Sequence, residues 1–243
     1  MTTSPKIALV TGANKGIGLE ITRQLAQAGV RVLMGARSAE RGTAAAHQLA
    51  AEDLDVTFLQ LDTGDEASIA AAAATIADEY GRLDILVNNA GISDRDDGPP
   101  SRASLASVRR VLETNFVGTL AVTQAMLPLL RTSPAARIVN VSSALGSLSI
   151  NGDPISPYYS ARLIGYNASK AALNMLTIQL DAELRDSTIV VNSVSPGFVK
   201  TDLTRGAGNL APAEAAVTPA RYALLGQDAV SGQFASADGE LPW

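Results

Sequence analysis

Three observations predict an α/β fold, a doubly wound sheet of about seven parallel strands with helices on both faces. Short apolar runs alternate with longer amphipathic stretches along the whole chain, which is the pattern of successive βαβ units. The runs are nearly continuous, as in Ile85-Leu86-Val87, and such strands are buried on both sides. The apolar residues, 47% of the 243, are almost all aliphatic, since aromatics make up only 4%. Ala, Val, Leu and Ile must therefore build the core, which suits helices packed closely on a parallel sheet.

The elements follow in order. Strands are expected at Ile7–Thr11, Val30–Ala36, Val56–Leu61, Ile85–Asn88, Arg137–Ser142 and Ile189–Ser195, with a weaker pattern at Gly232–Ala235. Helices are expected near Gly16–Ala28, Ala39–Ala51, Asp65–Tyr80, Ser104–Leu130, Tyr166–Arg185 and Ala213–Leu225. The alanine patches at Ala44–Ala46 and Ala70–Ala74 read as helix filler. Three stretches read as loops, namely the charged, Pro/Gly-rich Ser93–Ser101, then Ala144–Ile164, then Lys200–Pro212. Each follows a strand at the sheet edge where α/β proteins bind ligands, so these loops are candidate pocket walls. No linker or repeat divides the chain, which reads as one domain over residues 1–243.

Composition excludes several function classes. A net charge of −5, from 19 basic and 24 acidic residues, gives no electrostatic footing for nucleic acid or an anionic membrane. Without cysteine there are no disulfides, thiolate metal sites or cysteine nucleophiles. Met1 to Lys6 lacks an apolar signal core, and Leu120 to Leu130 is broken by Thr123, Gln124 and Pro128, so a soluble cytoplasmic protein is expected. The single histidine, His47, lies in an alanine-rich helix far from every motif and reads as a surface or boundary residue. It supports neither a metal site nor a Ser-His-Asp hydrolase.

The run Thr11-Gly12-Ala13-Asn14-Lys15-Gly16-Ile17-Gly18 follows an apolar strand and opens an amphipathic helix. Glycines let the backbone turn tightly and let a pyrophosphate reach the bare N–H groups of a helix N-terminus. A tight βα turn without ligand is the bland alternative. Strand two ends Gly35-Ala36-Arg37, with a cation where an NAD site carries an acidic residue. Arg37 and Lys15 together suit a 2′-phosphate, unless they are two solvated surface charges. Asp62 and Thr63 end strand three and are placed to hold an adenine edge, with helix capping the alternative for Thr63. Asn88-Asn89-Ala90-Gly91 can stabilise a strand end and admit a closely packed cofactor.

The fifth strand ends Val141-Ser142-Ser143, and Tyr166-Asn167-Ala168-Ser169-Lys170 follows. Positions i and i+4 share a helix face. A lysine cation beside a phenol favours the phenolate and lowers the tyrosine pKa, making a proton donor and acceptor. Ser143 can hydrogen-bond a carbonyl oxygen as charge develops there. Asn115 interrupts an apolar helix, as a satisfied kink or as part of a proton path.

These residues in this order, completed by Pro196-Gly197 after strand six, resemble the short-chain dehydrogenase/reductase family over essentially the whole chain. Asn14-Lys15 and Ala36-Arg37 resemble its carbonyl-reductase-like branch, which uses NADPH. The resemblance implies a Rossmann-type fold and hydride exchange between NADPH/NADP+ and a carbonyl or alcohol, with Tyr166 as proton donor or acceptor. It implies that Ser143 orients the substrate oxygen, that Lys170 lowers the tyrosine pKa and holds the nicotinamide ribose, and that Asn115 holds a relay water. Gly12, Asn14, Lys15, Gly16, Ile17, Gly18, Arg37, Asp62, Thr63, Asn89, Ala90 and Gly91 would line the cofactor, with Tyr166 and Lys170. Pro196, Gly197, Val199 and Thr201 would meet its nicotinamide end.

The span from Ser143 to Tyr166 is longer than in most members, yet too short for the long helical insert of the monomeric carbonyl reductases. The insert around Asn151–Tyr159 is expected to line the substrate entrance, with Tyr158 or Tyr159 as wall. Ser142 stays an alternative to Ser143. A homo-oligomer is compatible with the sequence, pairing through the helices beginning near Ser104 and Tyr166, unless the insert covers the second. Trp243 tucks against the body, reaches a neighbouring subunit or frays. The apolar loop residues Ile92, Ala144, Leu145, Leu148 and Phe198 suit a hydrophobic ketone or aldehyde. The alternative class is a catalytically silent NADP(H) sensor, which predicts damage to the Ser, Tyr and Lys set that this sequence does not show.

Overall fold

The computed structural model describes residues 5–226 and 229–243. One sheet runs in the order β3-β2-β1-β4-β5-β6-β7-β8, with β1 at Ile7–Thr11, β2 at Arg31–Ala36, β3 at Val56–Gln60, β4 at Ile85–Asn88, β5 at Arg137–Val141, β6 at Val190–Val194, β7 at Phe234–Ser236 and β8 at Gly239–Glu240. The first seven are parallel, as expected. The eighth pairs antiparallel with β7. The sequence reading missed it because it is two residues long and carries no apolar pattern.

The helices are α1 (Gly16–Gln27), α2 (Ala39–Ala50), α3 (Glu66–Tyr80), α4 (Leu105–Leu112), α5 (Gly118–Leu130), α6 (Leu148–Gly152), α7 (Ile164–Glu183) and α8 (Pro212–Ala223). They cover both faces. Ile7 and Leu9 of β1 join Ile76, Met126, Leu173 and Leu180 on one side. Ala8 and Val10 join Ile21, Leu25, Leu49 and Ala216 on the other. Successive side chains of a strand point to opposite faces, so burial on both explains the unbroken apolar runs. Chain order reverses between β1 and β4, which puts the ligand crevice at their carboxyl ends.

Two expectations change. The helix expected over Ser104–Leu130 is split by a π-helical turn at Glu113–Val117. Its extra residue turns Asn115 fully inward, while Gly118 passes so close to the Thr63 carbonyl that a Cβ would overlap it. Such bulges concentrate at functional sites. The loop expected over Ala144–Ile164 holds a 3₁₀ turn at Ala144–Gly146 as well as α6, and α7 begins two residues ahead of Tyr166. Among the described residues no helix is long and apolar enough to cross a membrane.

Candidate active site

The glycine turn is built for close approach. Gly12 sits at φ +63°, and a Cβ there would lie 2.9 Å from the Ala90 Cα. A Cβ on Gly18 would meet the Asn89 amide, so α1 comes hard against the strand ends. Asn89 fixes the turn, donating from Nδ2 to the carbonyls of Thr11 at 2.9 Å and Gly12 at 3.2 Å. The Thr11 hydroxyl accepts from the Asn89 and Ala90 amides, each at 3.0 Å. No side chain caps α1, and its first turn holds no acidic residue, so its N–H groups and dipole are left for an anion. Asn14, Gly16 and Ile17 are half-buried around this end, and the Thr201 methyl lies 3.4 Å from where a Gly16 Cβ would stand. This donor set, with its bare cradle, fits a dinucleotide.

Arg37 is exposed and forms no ion pair among the described residues. Lys15 is instead paired with Asp202 at 2.5 Å, a tie between the glycine turn and the loop after β6. Asp62 Oδ1 accepts from the Gly64 amide at 3.0 Å. The alternative for Thr63 falls away, since the α3 cap is Asp65. Gly197, at φ +86°, turns the chain after Pro196, and buried Val199 bridges to Leu210.

The chemical residues meet above β4 and β5. Ser143 stands between β5 and the 3₁₀ turn, accepting from the Leu145 amide at 3.2 Å. The Ser143 hydroxyl is near enough to the Tyr166 phenol to favour its ionised form. Burial pushes the phenol up to about 12, with the Ser143 contact opposing the rise. This differs from the expectation that Lys170 lowers it. The Lys170 ammonium is 5.8 Å from the ring centroid and donates to the Val141 carbonyl at 2.8 Å. It is itself brought down to about 8 by burial. At neutral pH the tyrosine is a protonated acid beside a lysine that is still mainly cationic.

Asn115 clamps three segments. Its Oδ1 accepts from the Ile92 amide at 2.8 Å, and its Nδ2 donates to the Ile92 carbonyl at 2.9 Å and to Ser169 Oγ at 3.0 Å. Both amide hydrogens are thus engaged, so a relay water would have to bind oxygen here. A Cβ on Gly91 would lie 3.4 Å from Asn115 Oδ1 and 3.6 Å from Lys170 Nζ, so this glycine leaves the floor of the site open.

The structure separates the two serines. Ser142 is buried, donating to Asn174 Oδ1 at 2.7 Å, and holds α7 to the strand end. The wall tyrosines also divide. Tyr158 joins Ser149, Ile150, Asp153, Ser156, Pro157 and Pro242 around a cavity of about 330 Å³ that none of Ser143, Tyr166 and Lys170 lines, whereas Tyr159 lies under the Arg162 guanidinium at 4.1 Å. Trp243 tucks against the body, stacked on Phe234 at 5.5 Å, and its carbonyl accepts from Ser147 and Ser149. His47 is exposed, as expected.

Sequence reasoning missed three supports. Asn151 Oδ1 accepts from Asn167 Nδ2 at 2.8 Å, tying the insert to the residue after Tyr166. Ser195 Oγ accepts from the Ala144 amide at 3.1 Å. Asp97 bonds the first turn of α7. All are long-range contacts with no local spacing signal, although Asp97 lies in a loop already marked as a pocket wall.

The profile of the short chain dehydrogenase family matches residues 6–209. The chain belongs to that family. Among short chain dehydrogenases with curated descriptions, it is 34% identical to (-)-isopiperitenone reductase of Mentha piperita, over 97% of this chain and 98% of that one. It is 36% identical to carbonyl reductase (NADPH) 3 of Mus musculus, over 94% of each. Among solved short chain dehydrogenases, an NADPH-bound carbonyl reductase from chicken fatty liver superposes with a TM-score of 0.86 at 28% identity, covering 99% of this chain and 100% of that one.

Proposed function

We propose that this chain is an NADPH-dependent reductase of hydrophobic ketones or aldehydes, able to run in reverse as an alcohol dehydrogenase. The observation that carries the reading is the Lys170 ammonium, buried on the Val141 carbonyl and 5.8 Å from the centre of the Tyr166 ring one helical turn away, with Ser143 beside the phenol. When bound, NADPH supplies the hydride. Tyr166 gives its proton to the substrate oxygen, and Ser143 Oγ orients that oxygen and shares its developing charge. Lys170, a cation below about pH 8, favours the phenolate that proton transfer leaves behind. Asn115 holds Ile92 and Ser169 in place around it.

Gly12, Asn14, Lys15, Gly16, Ile17, Gly18, Arg37, Asp62, Thr63, Asn89, Ala90 and Gly91 would hold the nucleotide half. Pro196, Gly197, Val199 and Thr201, with Tyr166 and Lys170, would hold the nicotinamide half. The exposed side chains of Ile92, Leu148, Tyr158 and Phe198 favour an apolar substrate. The names of the relatives, reductases of carbonyl compounds, support the same class. A cytoplasmic site of action and a homo-oligomer accord with this reading.

The test is loss of reduced-nicotinamide absorbance with NADPH and NADH in parallel, against a panel of ketones, aldehydes and quinones. NADPH-selective oxidation by one carbonyl class is the expected result. Tight NADPH binding without oxidation across the panel would favour the sensor reading instead.

A further inference from the structure

A helix cannot satisfy the N–H groups of its own first turn, and the residue preceding α7, Leu163, offers no side-chain cap. A loop far upstream takes over. The Gly98 carbonyl accepts from the Ile164 amide at 3.0 Å. Asp97 Oδ1 accepts from the Gly165 amide at 2.9 Å, and Asp97 Oδ2 accepts from the Tyr166 amide at 2.8 Å. The approach is tight, since a Cβ on Gly165 would lie 3.1 Å from Asp97 Oδ2 and 3.2 Å from the Val108 Cα.

The loop that delivers Asp97 is braced on both sides. Asp94 pairs with Arg110 of α4 at 2.7 Å, and the Ser104 amide donates to the Asp96 carbonyl at 3.0 Å. Its upstream end, Ile92, is gripped by Asn115, which also holds Ser169 of α7. One short strap therefore runs from Asn115 to the backbone of Tyr166.

We propose that Asp97 is a positioning residue for the reaction: by capping α7 across the cleft it fixes the backbone of Tyr166, and with it the placement of the phenol against Ser143. The proposal rests on the reading of Tyr166 as the proton donor. A displacement of about 1 Å in a reacting group can cost on the order of a hundredfold in rate, so a cap on the tyrosine's own N–H is a sensitive point of control. It acts on the chemical step: Asp97 holds the backbone of Tyr166 and touches neither the phenol nor the glycine turn that would hold the nucleotide half.

Two variants of the full chain test this, Asp97→Ala and Asp97→Asn. Hydrogen exchange at the Gly165 and Tyr166 amides, which needs no turnover, is expected to speed up by about tenfold or more in Asp97→Ala, the consequence of losing a helix cap. In the same variant kcat is expected to fall by about tenfold, while the carbonyl KM and the NADPH Kd stay within about threefold. Asp97→Asn keeps one acceptor oxygen and is expected to recover part of the lost kcat; it carries the test alone if the alanine variant does not fold. Unchanged kcat, or unchanged exchange at both amides, overturns the proposal. So does a parallel loss of kcat, KM and NADPH affinity, which marks general loosening. A wild-type protein that never oxidises NADPH overturns the functional reading instead, and the exchange rates still decide the cap.

Discussion

Replacing Arg37 by alanine removes an exposed cation at the nucleotide end that forms no ion pair among the described residues. Its guanidinium is exposed at the end of β2 and has no ion-pair partner to leave among the described residues, so its interaction with a 2′-phosphate is gained in full when the cofactor binds. A hydrogen bond to a charged group contributes about 1.5–3 kcal/mol, so NADPH affinity should fall about 10- to 150-fold. NADH, lacking that phosphate, should change by no more than about twofold. Lys15 starts from a different place. It is already paired with Asp202, and the two side chains are 59% and 79% exposed. Such a pair is worth at most about 1 kcal/mol, so freeing Lys15 by Asp202→Asn should tighten NADPH by at most about fivefold. The assay is a fluorescence titration of both cofactors against wild type, Arg37→Ala and Asp202→Asn. An Arg37→Ala protein that binds NADPH as tightly as wild type, or loses NADH equally, refutes the 2′-phosphate assignment.

Three further outcomes follow from the same geometry. Burial takes Lys170 from 10.5 to about 8, so the unfolded chain holds this proton to higher pH and stability rises between those values. Lys170→Met should abolish turnover yet raise stability at pH 7 by up to about 3 kcal/mol. Urea denaturation at pH 7 should reveal that gain, and at pH 10.5 the gain should have vanished. Gly12→Ala places a Cβ at φ +63° and 2.9 Å from the Ala90 Cα; it should cost about 2 kcal/mol or more, read from the urea midpoint, and weaken NADPH binding. Tyr158→Ala removes one wall of the cavity beside the insert; relative kcat/KM across a ketone panel should change while NADPH Kd holds, and unchanged ratios would remove Tyr158 from the substrate path.

The parallel sheet was legible because its central strands β1, β4 and β5 are buried on both faces, which writes an unbroken apolar run such as Ile7 to Val10. The glycine turn and the Tyr166–Lys170 pair were legible because their chemistry is local in sequence. What escaped the reading is spread across the chain. The π-helical turn around Asn115 arises where Gly118 meets the Thr63 carbonyl, a contact between segments with no common spacing. Asp97 and Tyr166 are 69 residues apart, and neither sequence neighbourhood names the other. The reading also gave too little weight to burial beside the charge of Lys170, which was expected to lower the tyrosine pKa. Burial is the larger effect on both groups, and burial depends on the packed site.

The central claim is that Tyr166 delivers the proton in a reaction that consumes NADPH. It is tested most directly by measuring NADPH binding and single-turnover NADPH oxidation in Tyr166→Phe, with a carbonyl that wild type reduces. The account predicts NADPH affinity within about threefold of wild type and oxidation slowed by at least about a hundredfold, the range of a lost general acid. Oxidation at the wild-type rate with the phenol gone would contradict it.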